Sequence, residues 1–330
     1  MTGGTIGITF DGFNSFPESL EIARKAVSAG VKSLWMAEHL GYREAIASCM
    51  AFAISFPGVK IVPTAISPYI RHPTTTAAAM ATLDEASPGN IALAVGTGNP
   101  MFLGESGLSI EKPIRAISEY TAMLRALWTG EAVQKEGMLH RLNGVRLAFK
   151  PSRPIPIYFC PMKEQMLRLS GKLADGLVLS GGLSADFVAH SLEFAKAGAM
   201  EAGRDFKNIW KAAYVYFLAT RSPKAGHETL RMKLAFLMRN RYIDDNIAHS
   251  GLPIDQRGIM DAISRRDFAA AGRMVPDEAV DAFAITGTAA QCRAGVERFL
   301  SAGIDELVLI MAGEAGDREI GFEVIRDLVG

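Results

Sequence analysis

Eight short apolar runs, separated by longer stretches with helical signals, constrain this chain more than any other feature. They are Thr5–Phe10, Ser33–Met36, Val59–Ala65, Ile91–Val95, Ile157–Phe159, Leu177–Ser180, Lys211–Ala219 and Glu306–Ile310. Runs this short and apolar suit parallel strands covered on both faces. Repeated strand–helix units impose right-handed crossovers. Eight such units over 330 residues close most simply into a (β/α)8 TIM barrel, read here as one domain over 1–330. An open doubly wound sheet is the alternative, but it usually has fewer strands.

Helix punctuation agrees with this reading. Pro17-Glu18 puts proline and an acid in a first turn, and His72-Pro73-Thr74 opens an Ala/Met/Leu helix that stops at Ser87-Pro88-Gly89. Ser184 and Thr288 read as N-caps. Two stretches break the rhythm. Residues 131–156, with glycines at 137 and 144, predict a β-hairpin. Residues 237–283, polar and rich in Arg and Asp, predict a helical insertion after strand 7.

Charge limits the partners. Thirty-five basic and 35 acidic side chains cancel, so no global field draws in nucleic acid or anionic lipid. A small-molecule substrate fits better. Three cysteines, Cys49, Cys160 and Cys292, show neither zinc spacing nor a disulfide framework, which suits the cytoplasm. The opening MTGGTIGITF lacks the basic and apolar regions of a secretory leader, and the apolar run from Ala45 to Phe56 is too short to span a bilayer and reads as a buried helix.

In a barrel, chemistry gathers at the C-terminal strand ends. His39 follows strand 2 and can exchange a proton, contact a cofactor ring, or merely satisfy a loop. Glu38 reads as a solvated loop acid, with orientation of His39 as the alternative. Gly96-Thr97-Gly98 after strand 4 is a weak dinucleotide signal, because Met101 stands where a third glycine belongs. It reads either as backbone passing close to something flat or as an ordinary turn. Lys163 beside a helix start, with Ser180-Gly181 after strand 6, suggests an anion site. Gly287-Thr288 reads as a plain cap. Arg71 suits either an acidic ligand or a structural ion pair. No metal site is expected.

At these same loops the sequence resembles a known family. Residues 61–73 (IVPTAISPYIRHP), 78–89 (AAMATLDEASPG), 94–98 (AVGTG), 174–176 (ADG) and 277–288 (DEAVDAFAITGT) are similar to segments of methylenetetrahydromethanopterin reductases. Those enzymes form a branch of the luciferase-like superfamily. The resemblance implies a redox cofactor at the barrel mouth, F420 or alternatively FMN. It also implies a non-prolyl cis bond at Thr64–Ala65. The cofactor contacts it implies are Thr64, Ala65, Ile66, Ser67, Gly96, Thr97, Gly98, Cys160, Pro161, Met162, Lys163, Ser180 and Gly181, with His39 and Asn99 as catalytic candidates. Two departures stand out. Asn99 replaces a common acid and cannot act as a general acid, and Cys160 to Glu164 replaces a glycine-rich turn.

The expected function is an F420-dependent reductase passing hydride to a C=C or C=N bond. The alternatives are an FMN-dependent monooxygenase and a non-catalytic cofactor-binding homologue. A separate reductase supplying reduced cofactor, and homodimerisation, follow by resemblance alone.

Overall fold

Eleven strands form among residues 4–329, which this computed structural model describes; the first three residues read for a leader lie outside that range. In chain order they are β1 (Thr5–Phe10), β2 (Ser33–Ala37), β3 (Lys60–Thr64), β4 (Leu93–Val95), β5 (Val133–Glu136), β6 (Arg141–Val145), β7 (Ile157–Phe159), β8 (Gly176–Leu179), β9 (Trp210–Ala219), β10 (Ala284–Gly287) and β11 (Glu306–Met311). Eight pair side by side in the order β3-β2-β1-β11-β9-β8-β7-β4, all parallel. The ends of this row meet. Ile61 bridges Ile91, Ile66 bridges Val95, and the Ile66 N–H donates to the Ala94 carbonyl at 2.9 Å. The sheet is therefore a closed (β/α)8 barrel rather than an open one.

Inside the barrel, Trp35, Val62, Ala92, Ala94, Tyr158, Val178, Ala212 and Val308 pack into one cluster. Bulky rings from β2 and β7 face alanines on β4 and β9, so large and small side chains fill the tapering space. The N-terminal end is plugged by a buried carboxylate. Glu306, 1% exposed, accepts from the Trp35 indole at 2.9 Å, the Trp210 indole at 2.8 Å, the Lys60 ammonium at 3.1 Å and the Ser33 hydroxyl. Lys60 also lies over the Trp210 and Tyr158 rings, at 4.4 and 5.0 Å from their centroids.

Both departures from the barrel rhythm have the expected form. β5 and β6 make an antiparallel hairpin. The insertion is helical, running Pro223–Met238, Asp244–Ser250, Gln256–Ser264, Phe268–Arg273 and Asp277–Phe283. Its return strand, β10, was not read from the sequence. β10 pairs with Tyr216–Ala219 of β9, beyond the stretch Trp210–Ala213 where β8 pairs with the same strand. The Thr220 N–H donates to the Gly287 carbonyl at 2.9 Å, which closes the neck of the excursion. Ser184 and Thr288 are N-caps, and Thr288 forms a reciprocal capping box with Gln291.

Two outer helices, Glu164–Leu173 and Ala185–Glu201, touch backbone to backbone through glycines. A Cβ on Gly171 would lie 1.9 Å from the Ala195 carbonyl oxygen, and one on Gly198 2.0 Å from that of Arg168. Gly171→Ala is therefore expected to lower stability by about 1–3 kcal/mol through overpacking, despite a helix-propensity gain of about 1 kcal/mol. Urea unfolding checks this. An unchanged midpoint would mean that the helices separate freely.

Among the described residues no helix is long and apolar enough to cross a membrane.

Candidate active site

The floor of the barrel mouth is made of small uncharged groups. The Thr64–Ala65 peptide is cis, as the resemblance implied. Tyr214 donates its hydroxyl to Thr64 Oγ1 at 3.1 Å, and Cys160 Sγ lies 3.9 Å from the same oxygen. Gly96 fits between neighbours: a Cβ there would meet Ala65 Cβ at 2.8 Å and Cys160 Cβ at 3.2 Å. Its missing side chain makes room for protein. Gly98 has φ +86°, so it is a turn glycine. Burial pushes the Cys160 thiol up to about 12 and the Tyr214 phenol well above its ordinary value, so both are neutral near pH 7.

His39 forms one wall. Its Nδ1 lies 2.9 Å from the Asp11 backbone carbonyl, which can only accept, so Nδ1 carries the proton. Burial lowers the pKa of the imidazole. The ring is thus neutral near pH 7, and Nε2 carries the lone pair. Phe13, Phe102 and Tyr42 surround it, with ring centroids at 5.6, 5.2 and 6.2 Å. Phe13 and Tyr42 are nearly half exposed, so this aromatic wall faces solvent.

Glu38 corrects the sequence reading. It is buried, and accepts from Arg71 Nε and from the Ser67 N–H at 3.4 Å. Arg71 also reaches Glu44, which caps the helix Ala45–Ser55. Burial raises the Glu38 pKa, and Arg71 offsets this only in part. Glu38 neither orients His39 nor sits in water; it supports the loop after β3. Arg71 is accordingly structural. Ile66 and Ser67 are wholly buried, and Ser67 Oγ donates to the Thr97 carbonyl at 3.0 Å. Both brace the mouth from behind, whereas Ala65, Thr97 and Gly98 remain partly open.

Asn99 caps the helix Pro100–Glu105, its Oδ1 accepting the Met101 N–H at 3.0 Å. Only its amide nitrogen is left to donate. Across the mouth, Pro161 is buried and Met162 half-buried, and Lys163 precedes the helix Glu164–Leu173. Lys163 is not a free ammonium: Asp244 and Asp245 of the insertion hold it, the latter at 2.7 Å. Those carboxylates come some 80 residues later, which local sequence reasoning did not register. No side chain caps that helix start, so its backbone N–H groups keep their anion-binding capacity. Ser180 is half-buried, and Gly181 is packed against Ile310.

The insertion lies over this side. Leu237 packs on Gly182, and the buried Asn246 bonds both the Ser184 N–H (2.9 Å) and the Gly182 carbonyl (3.2 Å). This brings in Arg239, which the sequence reading missed; its charge partly offsets the burial that raises the Tyr216 phenol on β9. Period-two alternation along β9 could have flagged Tyr216, since Trp210 and Tyr214 already point inward. Nothing local marks Arg239.

A surface groove of about 410 Å³ lies elsewhere, on the helix Pro223–Met238. Arg231 pairs with Asp277 and His227 with Asp281 across it, so it reads as a helix-to-helix seam.

The sequence profile of the luciferase-like monooxygenases matches residues 2–306. The 5,10-methylenetetrahydromethanopterin reductase of Methanolobus tindarius is 29% identical over 306 residues, covering 92% of this chain and 93% of the relative. The solved coenzyme F420-dependent tetrahydromethanopterin reductase of Methanopyrus kandleri superposes with a TM-score of 0.88 at 22% identity, covering 99% and 98% of the two chains. An F420-dependent secondary alcohol dehydrogenase, solved with an F420-acetone adduct, gives 0.81 at 22%, covering 98% and 99%.

Proposed function

The chain belongs to the luciferase-like monooxygenase family, and from that premise we propose that it is an F420-dependent oxidoreductase acting on a small organic substrate with a C=C or C=N bond. The observation that carries the reading is the mouth: a neutral histidine beside an uncharged floor, with anion-binding capacity on the opposite side. That donor set fits an uncharged planar ring bearing an anionic appendage. Ala65, Gly96 and Cys160 would support the ring, and the uncapped start of the helix Glu164–Leu173 would take the anion. The name of the Methanolobus relative supports a reductase.

F420, when bound, supplies a two-electron hydride carrier. The protein must handle the balancing proton. With Nδ1–H fixed on Asp11, His39 can receive that proton at Nε2 in the oxidising direction. In the reducing direction only its protonated fraction can give one. Asn99 can orient a carbonyl or ring nitrogen through its amide N–H. Three free cysteines suit a reducing cytoplasm. The proposal extends to a homodimer supplied with reduced cofactor by a separate reductase.

Fluorescence titration of the purified protein tests the reading. Binding of F420 in preference to FMN is expected. Preference for FMN would move the assignment to a flavin-dependent monooxygenase. Folded protein that binds neither would overturn the reading.

A further inference from the structure

Arg239 differs from Arg71 and Lys163 at the mouth. Arg71 is held by Glu38 and Glu44, and Lys163 by Asp244 and Asp245. Arg239, half-buried, makes no ion pair among the described residues. Its contacts there are neutral and come from its own helix: Nη1 donates to the Phe236 carbonyl at 2.6 Å, and the guanidinium stacks at 3.8 Å on the Phe236 ring. A guanidinium has five N–H donors, so most of this fork stays unused. Leaving a partly desolvated charge without a counter-charge is costly, and an anionic ligand can supply the missing partner.

The backbone around Arg239 is held in place. Gln256 Nε2 donates to the carbonyls of Met238 (3.0 Å) and Asn240 (3.1 Å), on either side of it. Asn240 caps the next turn through the Tyr242 N–H, and Leu237 seats on Gly182. Tyr216, which strand alternation places on the same side of β9 as Trp210 and Tyr214, packs at the edge of the main core, its phenol senses the charge of this guanidinium, and its hydroxyl has no hydrogen-bond partner among the described residues. Asp11 is the opposing charge that Tyr216 also senses. Asp11 accepts the Phe13 N–H at 3.0 Å and does not pair with Arg239.

We propose that Arg239, assisted by Tyr216 of β9, is an anion-recognition site at the barrel mouth that binds a carboxylate or phosphate of the small molecule held there. A bidentate guanidinium contact suits either group, and the phenol adds one donor. The inference rests on the mouth being the active site and deepens that reading. The anion belongs either to the cofactor or to the substrate.

The test is calorimetric titration with inorganic phosphate, of the free protein and of the F420-loaded protein. Wild type is compared with R239M, which keeps the apolar stem, with R239K and with Y216F. Free wild type is expected to bind phosphate, with one site per chain that depends on Arg239. R239M should bind at least about tenfold more weakly, R239K should recover part of the loss, and Y216F should lose a few-fold. An unchanged melting temperature for R239M would show that the fold is intact. Phosphate excluded by bound F420 would assign the site to the cofactor's own anion. Phosphate bound equally well by the loaded protein would assign it to the substrate. Equal phosphate affinity in wild type and R239M, or no binding by wild type, overturns the proposal. If F420 itself fails to bind, the functional reading falls, while the free-protein comparison still decides the anion site.

Discussion

Replacing His39 with alanine is expected to lower kcat by about 10²- to 10⁴-fold, the range ascribed to one well-placed acid–base group, while cofactor affinity changes little. The pH profile carries the sharper test. Burial lowers the imidazole pKa, so the form present near neutrality is unprotonated. In the oxidising direction His39 must accept a proton, so the wild-type rate should fall as pH drops through a pKa below the ordinary imidazole value. In the reducing direction the sign reverses, and the rate should rise as pH falls toward that same pKa. Both limbs should vanish in His39→Ala, followed by deazaflavin absorbance in a stopped-flow mixer. A limb surviving at the same pH would assign the proton to another group, and Asn99 cannot be that group because an amide does not titrate there.

The second large effect is on stability. Glu306→Ala should lower the unfolding free energy by about 3–5 kcal/mol, the range for breaking a buried ion pair from one side. Four donors lose their shared acceptor, and Lys60 keeps a charge with nothing to answer it. Glu306→Gln keeps the volume but turns an amide N–H toward those donors, so it should also destabilise, though less. Lys60→Met combined with Glu306→Leu removes the charges together and should recover much of the loss. Urea unfolding of the three variants checks the order. If Glu306→Gln matched wild type, the carboxylate would be filling space rather than gathering donors.

The parts of this fold that could be read from the sequence are those set by neighbours a few residues away. The strand runs, the caps at Ser184 and Thr288, the hairpin and the helical character of the insertion all depend on local period or local turn chemistry; the insertion itself starts earlier than the expected residue 237, with the helix Pro223–Met238. β10 escaped because Ala284–Gly287 lies directly between a helix and a cap. The errors about side chains are non-local. Glu38 looks like a loop acid until Arg71, 33 positions on, is folded against it. Lys163 looks available until the insertion brings Asp244 and Asp245 to it. Arg239 carries no local mark at all, because its significance is the absence of a partner. The buried Glu306 cluster, likewise, exists only where β2, β3, β9 and β11 converge.

The neck of the insertion has a consequence for how such a chain can vary. The excursion leaves at Thr220 and returns at Gly287, and the two are joined by a backbone hydrogen bond. Its ends are therefore as close as adjacent strands, about 4.8 Å apart, whatever lies between them. Doubling the length of a loop anchored in this way costs only about 0.6 kcal/mol in closure entropy. The barrel can thus act as a fixed vessel with an exchangeable cover. Arg239 and the partners of Lys163 reside in that cover, so a change of cover would alter which anions the mouth accepts without disturbing the strands below.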